Sequence, residues 1–213
     1  MKFEAVIFDL DGVICFTDEY HYLAWKAMAD NIGVYFDRTI NNRLRGVSRM
    51  ASLDIVLERY NGVPLSDAEK ESLADQKNEL YKKYLSKMSP KDLSDEVKNT
   101  LDLLRERGYV LAIGSSSKNT PFILQQIGLG SYFDAVSDGN NITRSKPDPE
   151  VFVKASEMLC MPAEKCIVVE DAVSGAAAGH AGGMKVACVG DAAKAGAGDF
   201  NLKSISELAD ILK

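Results

Sequence analysis

Val6-Ile7-Phe8 is an apolar run with no polar residue alternating through it, and it leads directly into Asp9-Leu10-Asp11-Gly12. A strand with one face in water alternates polar and apolar side chains, so an unbroken run reads as a strand buried on both faces. Gly12 marks the turn behind it. Two carboxylates therefore stand at the C-terminal end of a buried strand. Taken alone, Asp-x-Asp-Gly also describes an ordinary polar turn. Acids held this close repel each other's charge, however, and a fold keeps them where a cation, a shared proton or a charged ligand compensates.

After Gly12 the period changes. Tyr22, Trp25, Met28, Ala29 and Ile32 recur at spacings of three and four until Gly33 ends the run, which is the pattern of an amphipathic helix. A second helix is expected from Met50 to Tyr60, closed by Asn61-Gly62. A third runs from Ser66 to about Lys87, and its Ser66-Asp67-Ala68-Glu69 start is a capping box. No strand is expected between Thr17 and Lys87. Residues 15–87 thus read as an all-helical cap inserted into a core made of 1–14 and 88–213.

Beyond Ser89-Pro90, helix and strand alternate. Strands are expected at Tyr109–Ile113, Asp134–Ser137, Cys166–Val169 and Lys185–Val189. Helices are expected at about Asp95–Arg107, from Thr120 as cap through Pro121 to Gly128, from Asp148 to Met158, and over the small residues before Gly182-Gly183. A last helix covers Ile205–Leu212, and Ala192–Gly198 reads as a small-residue loop. This alternation implies right-handed crossovers and a doubly wound, Rossmann-like α/β core with a parallel sheet. Ligands bind such sheets at the C-terminal ends of the strands. Asp9, Ser115 and Glu170-Asp171 all fall at that edge.

Asp9, Asp11, Glu170 and Asp171 make a hard-oxygen cluster with no thiolate or imidazole set beside it, which points to Mg²⁺ rather than zinc. The chain has only two histidines, His21 and His180. Lys146, held out of the following helix by Pro147, is a candidate to reach the same place. A hydroxyl from Ser115 and a cation from Lys146 are what a phosphoryl group needs to have its oxygens held and its charge balanced.

Composition narrows the alternatives. The net charge of −6 is spread along the chain, which favours neither nucleic acid nor a membrane surface as partner. No apolar run approaches the roughly 20 residues of a membrane span, and the start leaves no room for a signal peptide, so a cytoplasmic protein is expected. Cys15, Cys160, Cys166 and Cys188 lack Cys-x-x-Cys spacing and stand among apolar residues, as buried free thiols do. A monomer is the default expectation.

The run Val6-Ile7-Phe8-Asp9-Leu10-Asp11-Gly12-Val13, then Ser115, Lys146-Pro147-Asp148-Pro149 and Glu170-Asp171 with Ser174-Gly175, resembles the four motifs of the haloacid dehalogenase superfamily, in order and across the whole chain. Glu19-Tyr20-His21, Trp25-Lys26, Gly46-Val47-Ser48-Arg49 and Ser117-Lys118-Asn119 are similar to the β-phosphoglucomutase subfamily within it. The resemblance implies interconversion of β-D-glucose 1-phosphate and glucose 6-phosphate through a sugar bisphosphate. It implies Asp9 as nucleophile and Asp11 as general acid and base, with Ser115 and Lys146 holding the phosphoryl group. Mg²⁺ would be held by the Asp9 carboxylate, the Asp11 main-chain carbonyl and Asp171, with Glu170 in direct or water-mediated support. Arg49 would anchor the second phosphate of the small-molecule sugar phosphate. Thr17, His21, Trp25, Gly46, Val47 and Lys77 would serve the sugar pocket, and Ser117, Lys118 and Asn119 the phosphate end.

The sequence departs from the superfamily pattern at Phe16, where relatives commonly carry an acid near the hinge, and in the triple serine Ser115–Ser117. A sugar-phosphate phosphatase would use the same Asp9 and Asp11 with water as acceptor. A phospho-accepting signalling module shares the acidic cluster, hydroxyl and lysine but needs neither the helical insert nor Asp11.

Overall fold

The computed structural model describes residues 3–213, which divide into an α/β unit, up to Phe16 and from Ser89 onward, and a helical unit from Thr17 to Met88. The first strand, β1 (Ala5–Phe8), is buried throughout, as its unbroken apolar sequence requires. The chain behind it turns back tightly. The N–H groups of Ile14 and Cys15 both donate to Leu10 O, at 3.0 and 3.1 Å, and that of Gly12 donates to Cys15 O at 2.7 Å. Ile14 and Cys15 are buried in this turn, which is why the helical unit starts at Thr17 rather than at 15. At its other end Met88 N–H bonds to Leu85 O at 2.9 Å, carrying the unit one residue beyond 87.

The helical unit contains α1 (Asp18–Asn31), α2 (Arg38–Asn42), α3 (Arg49–Leu57) and α4 (Asp67–Leu85). Trp25, Met28 and Ala29 of α1 bury against Leu53 and Val56 of α3, Ala74 of α4, and Phe36, Ile40 and Leu44. α1 and α3 each contribute the apolar stripe of an amphipathic helix, and Phe36 and Leu44 reach it from the segments flanking α2. The capping box at α4 forms as expected: Ser66 Oγ accepts from Glu69 N–H at 3.3 Å, and Glu69 Oε2 accepts from Ser66 N–H at 2.8 Å. The five residues of α2 carry too little period to mark a helix in the sequence. This helix starts where Asp37 Oδ1 accepts from Ile40 N–H at 2.8 Å. Ser48 caps α3, which ends at Leu57, three residues before Tyr60.

In the α/β unit, β2 (Val110–Gly114), β3 (Ala135–Ser137), β4 (Cys166–Glu170), β5 (Lys185–Cys188) and β6 (Phe200–Asn201) join β1 in one sheet of order β3-β2-β1-β4-β5-β6. Every pairing is parallel. This is the doubly wound order in which the chain reverses direction of travel at β1. Helices α5 (Asp95–Glu106), α6 (Thr120–Gln126), α7 (Glu150–Met158) and α8 (Val173–Ala181) connect the strands. Ala5, Ile7, Ala112, Cys166, Val168 and Val186 face Val151, Phe152 and Ala155 of α7 and Ala176 and Ala178 of α8 in one cluster. The alternate strand residues Val6, Phe8, Leu111, Ile113, Ile167 and Val169 are fully buried as well, on the opposite face.

α6 is capped at Asn119 rather than at Thr120, which is its first residue. The start of the small-residue loop is a helix, α9 (Gly190–Lys194), because Ala192 is small enough to pack into the core cluster. The two-residue β6 is too short to show a period. The last segment is a 3₁₀ turn, Ile205–Glu207, followed by α10 (Leu208–Ile211), rather than one helix. Cys15, Cys166 and Cys188 are buried free thiols, and burial pushes those of Cys166 and Cys188 up to about 11. Cys160 is exposed instead, in a turn at φ 54° just past α7. Among the described residues no helix is long and apolar enough to cross a membrane.

Candidate active site

The strand register sets the site. Phe8 of β1 is level with Ile113 of β2 and Val169 of β4, so Asp9, Ser115 and Glu170-Asp171 leave the sheet side by side. Asp9 N–H still donates to Val169 O at 2.9 Å, which holds that buried residue at the sheet's rim. Lys146, joined to Pro147 by a cis peptide, is buried too. Its ammonium donates to Asp9 Oδ1 and, at 2.6 Å, to Glu170 Oε1, and lies 4.6 Å from the centre of the Phe152 ring. Glu170 Oε2 accepts from Ala172 N–H at 2.8 Å.

Lys146 is paired with Asp9 and Glu170, while Asp171 and Asp11 add two more acids around Asp9. Burial raises the Asp9 carboxyl well above the usual carboxylate range; Lys146 opposes this, and the charges of Glu170, Asp171 and Asp11 add to it. Burial works against the Lys146 ammonium, but the Asp9 and Glu170 carboxylates outweigh it and raise its pKa. Such an excess of negative charge is relieved by a divalent cation. Oxygens of Asp9, Glu170 and Asp171 lie within 4.8 Å of one another, a set that suits a hard, oxygen-seeking ion. Glu170 has both oxygens engaged already, so it fits a supporting position better than a direct one. The Asp11 carboxylate lies outside this set.

Ser115, the first residue past β2, is buried, and its N–H donates to Ser137 O at 3.0 Å. Its Oγ accepts from Ser117 N–H, and Ser117 Oγ from Asn119 N–H, both at 3.2 Å. Ser115, Ser117, Lys118 and Asn119 thus form one turn leading into α6, with the Lys118 side chain in solvent.

Within the helical unit, Thr17, His21, Trp25 and Lys77 come together. Lys77 is buried, with its nitrogen 3.0 Å from His21 Nδ1 and 4.7 Å from the centre of the Trp25 ring. Tyr81 completes the group: its ring centre is 4.0 Å from that of His21, and its hydroxyl donates to Thr17 Oγ1 at 3.1 Å. Burial, and after it the charges of Lys77 and Arg49, pushes the His21 ring well below its ordinary pKa. Gly46 and Val47 form the turn before α3, and Arg49, its first residue, is 3.4 Å from Asp75 of α4. Tyr81 and Phe152, whose rings lie against these candidate residues, carry no site signal of their own in the sequence because both fit apolar helical stripes. The i, i+4 spacing of Lys77 and Tyr81 was the available signal.

The doubly wound fold, with a carboxylate–lysine centre at the C-terminal edge of its sheet, is that of an α/β enzyme. The chain belongs to the haloacid dehalogenase-like hydrolase family, which residues 3–183 match. It is 38% identical over 207 residues to the β-phosphoglucomutase of Bacillus subtilis, spanning 96% of this chain and 91% of that protein. The crystal structure of β-phosphoglucomutase from Clostridium difficile superposes with a TM-score of 0.90 at 32% identity, covering 97% of this chain and 93% of that one. A phosphorylated carbohydrates phosphatase from Thermotoga maritima is 27% identical over 184 residues, covering 85% of this chain and 82% of that protein.

Proposed function

We propose that this enzyme is a phosphosugar mutase interconverting β-D-glucose 1-phosphate and glucose 6-phosphate by way of a sugar bisphosphate. The observation that carries the reading is the buried Asp9–Lys146–Glu170 constellation, Asp171 beside it, in a chain akin to β-phosphoglucomutases over nearly its whole length. An Asp9 oxygen forms a bond to phosphorus as the bond from phosphorus to the sugar oxygen breaks. Asp11 gives its proton to that departing oxygen. In the second half, Asp11 takes the proton of the other sugar hydroxyl, which attacks phosphorus and releases Asp9. Ser115 and Lys146 hold the phosphoryl oxygens meanwhile.

Asp9, Asp171 and the Asp11 carbonyl would hold Mg²⁺, with Glu170 in support. When bound, the ion neutralises charge on the transferring phosphoryl oxygens. We assign the non-reacting phosphate to Arg49, whose planar fork suits it. The sugar falls to Thr17, His21, Trp25, Gly46, Val47 and Lys77, and the phosphate end of the substrate to Ser117, Lys118 and Asn119. The enzyme acts as a monomer on this small-molecule substrate.

A phosphatase is the second reading, favoured by the carbohydrate phosphatase among the relatives. Incubating β-glucose 1-phosphate with Mg²⁺ and a trace of the bisphosphate separates the two. Glucose 6-phosphate is the expected product; free phosphate without it overturns the mutase. Asp11→Asn is expected to abolish turnover while Asp9 still takes up label from a phosphoryl donor. Unchanged turnover would remove Asp11 from the chemistry.

A further inference from the structure

Thr120 is fully buried, yet it caps no helix: its hydroxyl donates to Ser117 O at 2.9 Å. The same carbonyl accepts from Gly139 N–H at 3.2 Å, across from the loop that follows β3. Gly139 is buried, and the approach depends on its missing side chain. A Cβ there would lie 2.5 Å from Ser116 O and 2.8 Å from Lys118 N. The next residue adds a tie, with Asn140 Nδ2 donating to Lys118 O at 3.0 Å. That loop is itself braced, since Asn140 N–H donates to the buried Asp138 at 2.8 Å and Asp138 N–H to Asn141 Oδ1 at 3.1 Å. The Ser115–Asn119 turn is thus gripped at successive carbonyls from outside, by groups that belong to none of the four motifs.

We propose that Thr120 and Gly139 are positioning residues that fix the main chain of the Ser115–Asn119 turn so that its hydroxyl and amide groups meet a phosphoryl group in a set geometry. This inference rests on the phosphoryl-transfer reading above. Ser117 O is the shared point of control: beside a long contact from the Thr120 N–H at 3.5 Å, the Thr120 hydroxyl and the Gly139 N–H fix the orientation of the peptide between Ser117 and Lys118. The Ser117 N–H, bonded to Ser115 Oγ, is then fixed with it. Losing either grip lets the turn relax, and displacement of a binding group by an ångström is enough to cost a large part of its contribution.

The test compares Thr120→Val, which keeps the shape and removes the hydroxyl, with Thr120→Ser, which keeps the hydroxyl. Gly139→Ala pushes on the same turn from the opposite side. Affinity for inorganic phosphate in the presence of Mg²⁺ is read by calorimetry, with thermal unfolding of each variant alongside. Thr120→Val and Gly139→Ala are expected to weaken phosphate binding about tenfold, the scale of one hydrogen bond. Thr120→Ser is expected to stay within about twofold. If Thr120→Val fails to fold, Gly139→Ala decides. Folded Thr120→Val or Gly139→Ala protein that binds phosphate as well as the Ser variant overturns the proposal. Absence of phosphate binding by the unaltered enzyme would instead overturn the phosphoryl-transfer reading itself.

Discussion

Lys146 Nζ lies 2.6 Å from Glu170 Oε1 with both side chains buried, and the same nitrogen reaches Asp9. The lysine is therefore the internal counter-charge of the carboxylate cluster. Removing one partner of a buried ionic group is costly because the remaining charge is left without water or a counter-ion. Lys146→Met should lose about 3 kcal/mol of stability in chelator. Part of that loss should return on adding Mg²⁺, because the ion neutralises the same acids. Urea unfolding with and without the metal measures both effects, and a variant as stable as the unaltered protein in chelator would contradict the assignment.

Gly175 of α8 explains a small residue that propensity alone disfavours in a helix. A Cβ at this position would lie 1.7 Å from Glu170 Oε1 and 2.0 Å from its carboxyl carbon. Glu170 is held by Lys146 and Ala172 and has no free rotation with which to move aside. Gly175→Ala should cost about 1–3 kcal/mol through overpacking. It should weaken Mg²⁺ binding as well, since the displaced carboxylate belongs to the metal-fitting set. Thermal unfolding and calorimetric Mg²⁺ titration read the two consequences; unchanged metal affinity would separate Glu170 from the site.

His21 is held neutral by burial, then by Lys77 and Arg49, so its folded pKa lies well below the unfolded value. The unfolded chain then binds the proton more readily. Stability is accordingly complete above about pH 6.5, the ordinary histidine value, and declines as pH falls from there toward the folded pKa. The ring resonances of His21 should show no titration between about pH 8 and 6. Lys77→Met, which removes a neighbouring positive charge, should raise the His21 pKa. An NMR titration that finds His21 half-protonated near pH 6.5 in the unaltered protein would refute this.

Much of the α/β unit was legible in the amino-acid order for one reason: strands buried on both faces cannot carry polar residues. Val6–Phe8 and Ile167–Val169 announce themselves by lacking them, and the residues just after each run must sit at the sheet's rim. Capping signals were equally local, as Ser66 and Glu69 illustrate. Elements of two to five residues, β6, α2 and α9, were not legible because their periods are incomplete. Cys160 misled for a related reason: apolar neighbours along the chain say nothing of the direction a turn takes. Thr120 beside Pro121 looked like a cap because sequence shows a hydroxyl's position and not its partner.

By itself, then, the order of residues determined which side chains arrive at the C-terminal edge of the sheet, because strand burial and alternation are properties of adjacent residues. Tertiary structure alone decided which of those charges neutralise one another. Lys146 meets an aspartate 137 positions away in the chain; in the helical unit folding likewise sets the Lys77 charge against a neutral ring, that of His21, across 56 positions. Electrostatic energy depends on separation in space and on how far water has been excluded, and neither quantity exists until the chain has folded.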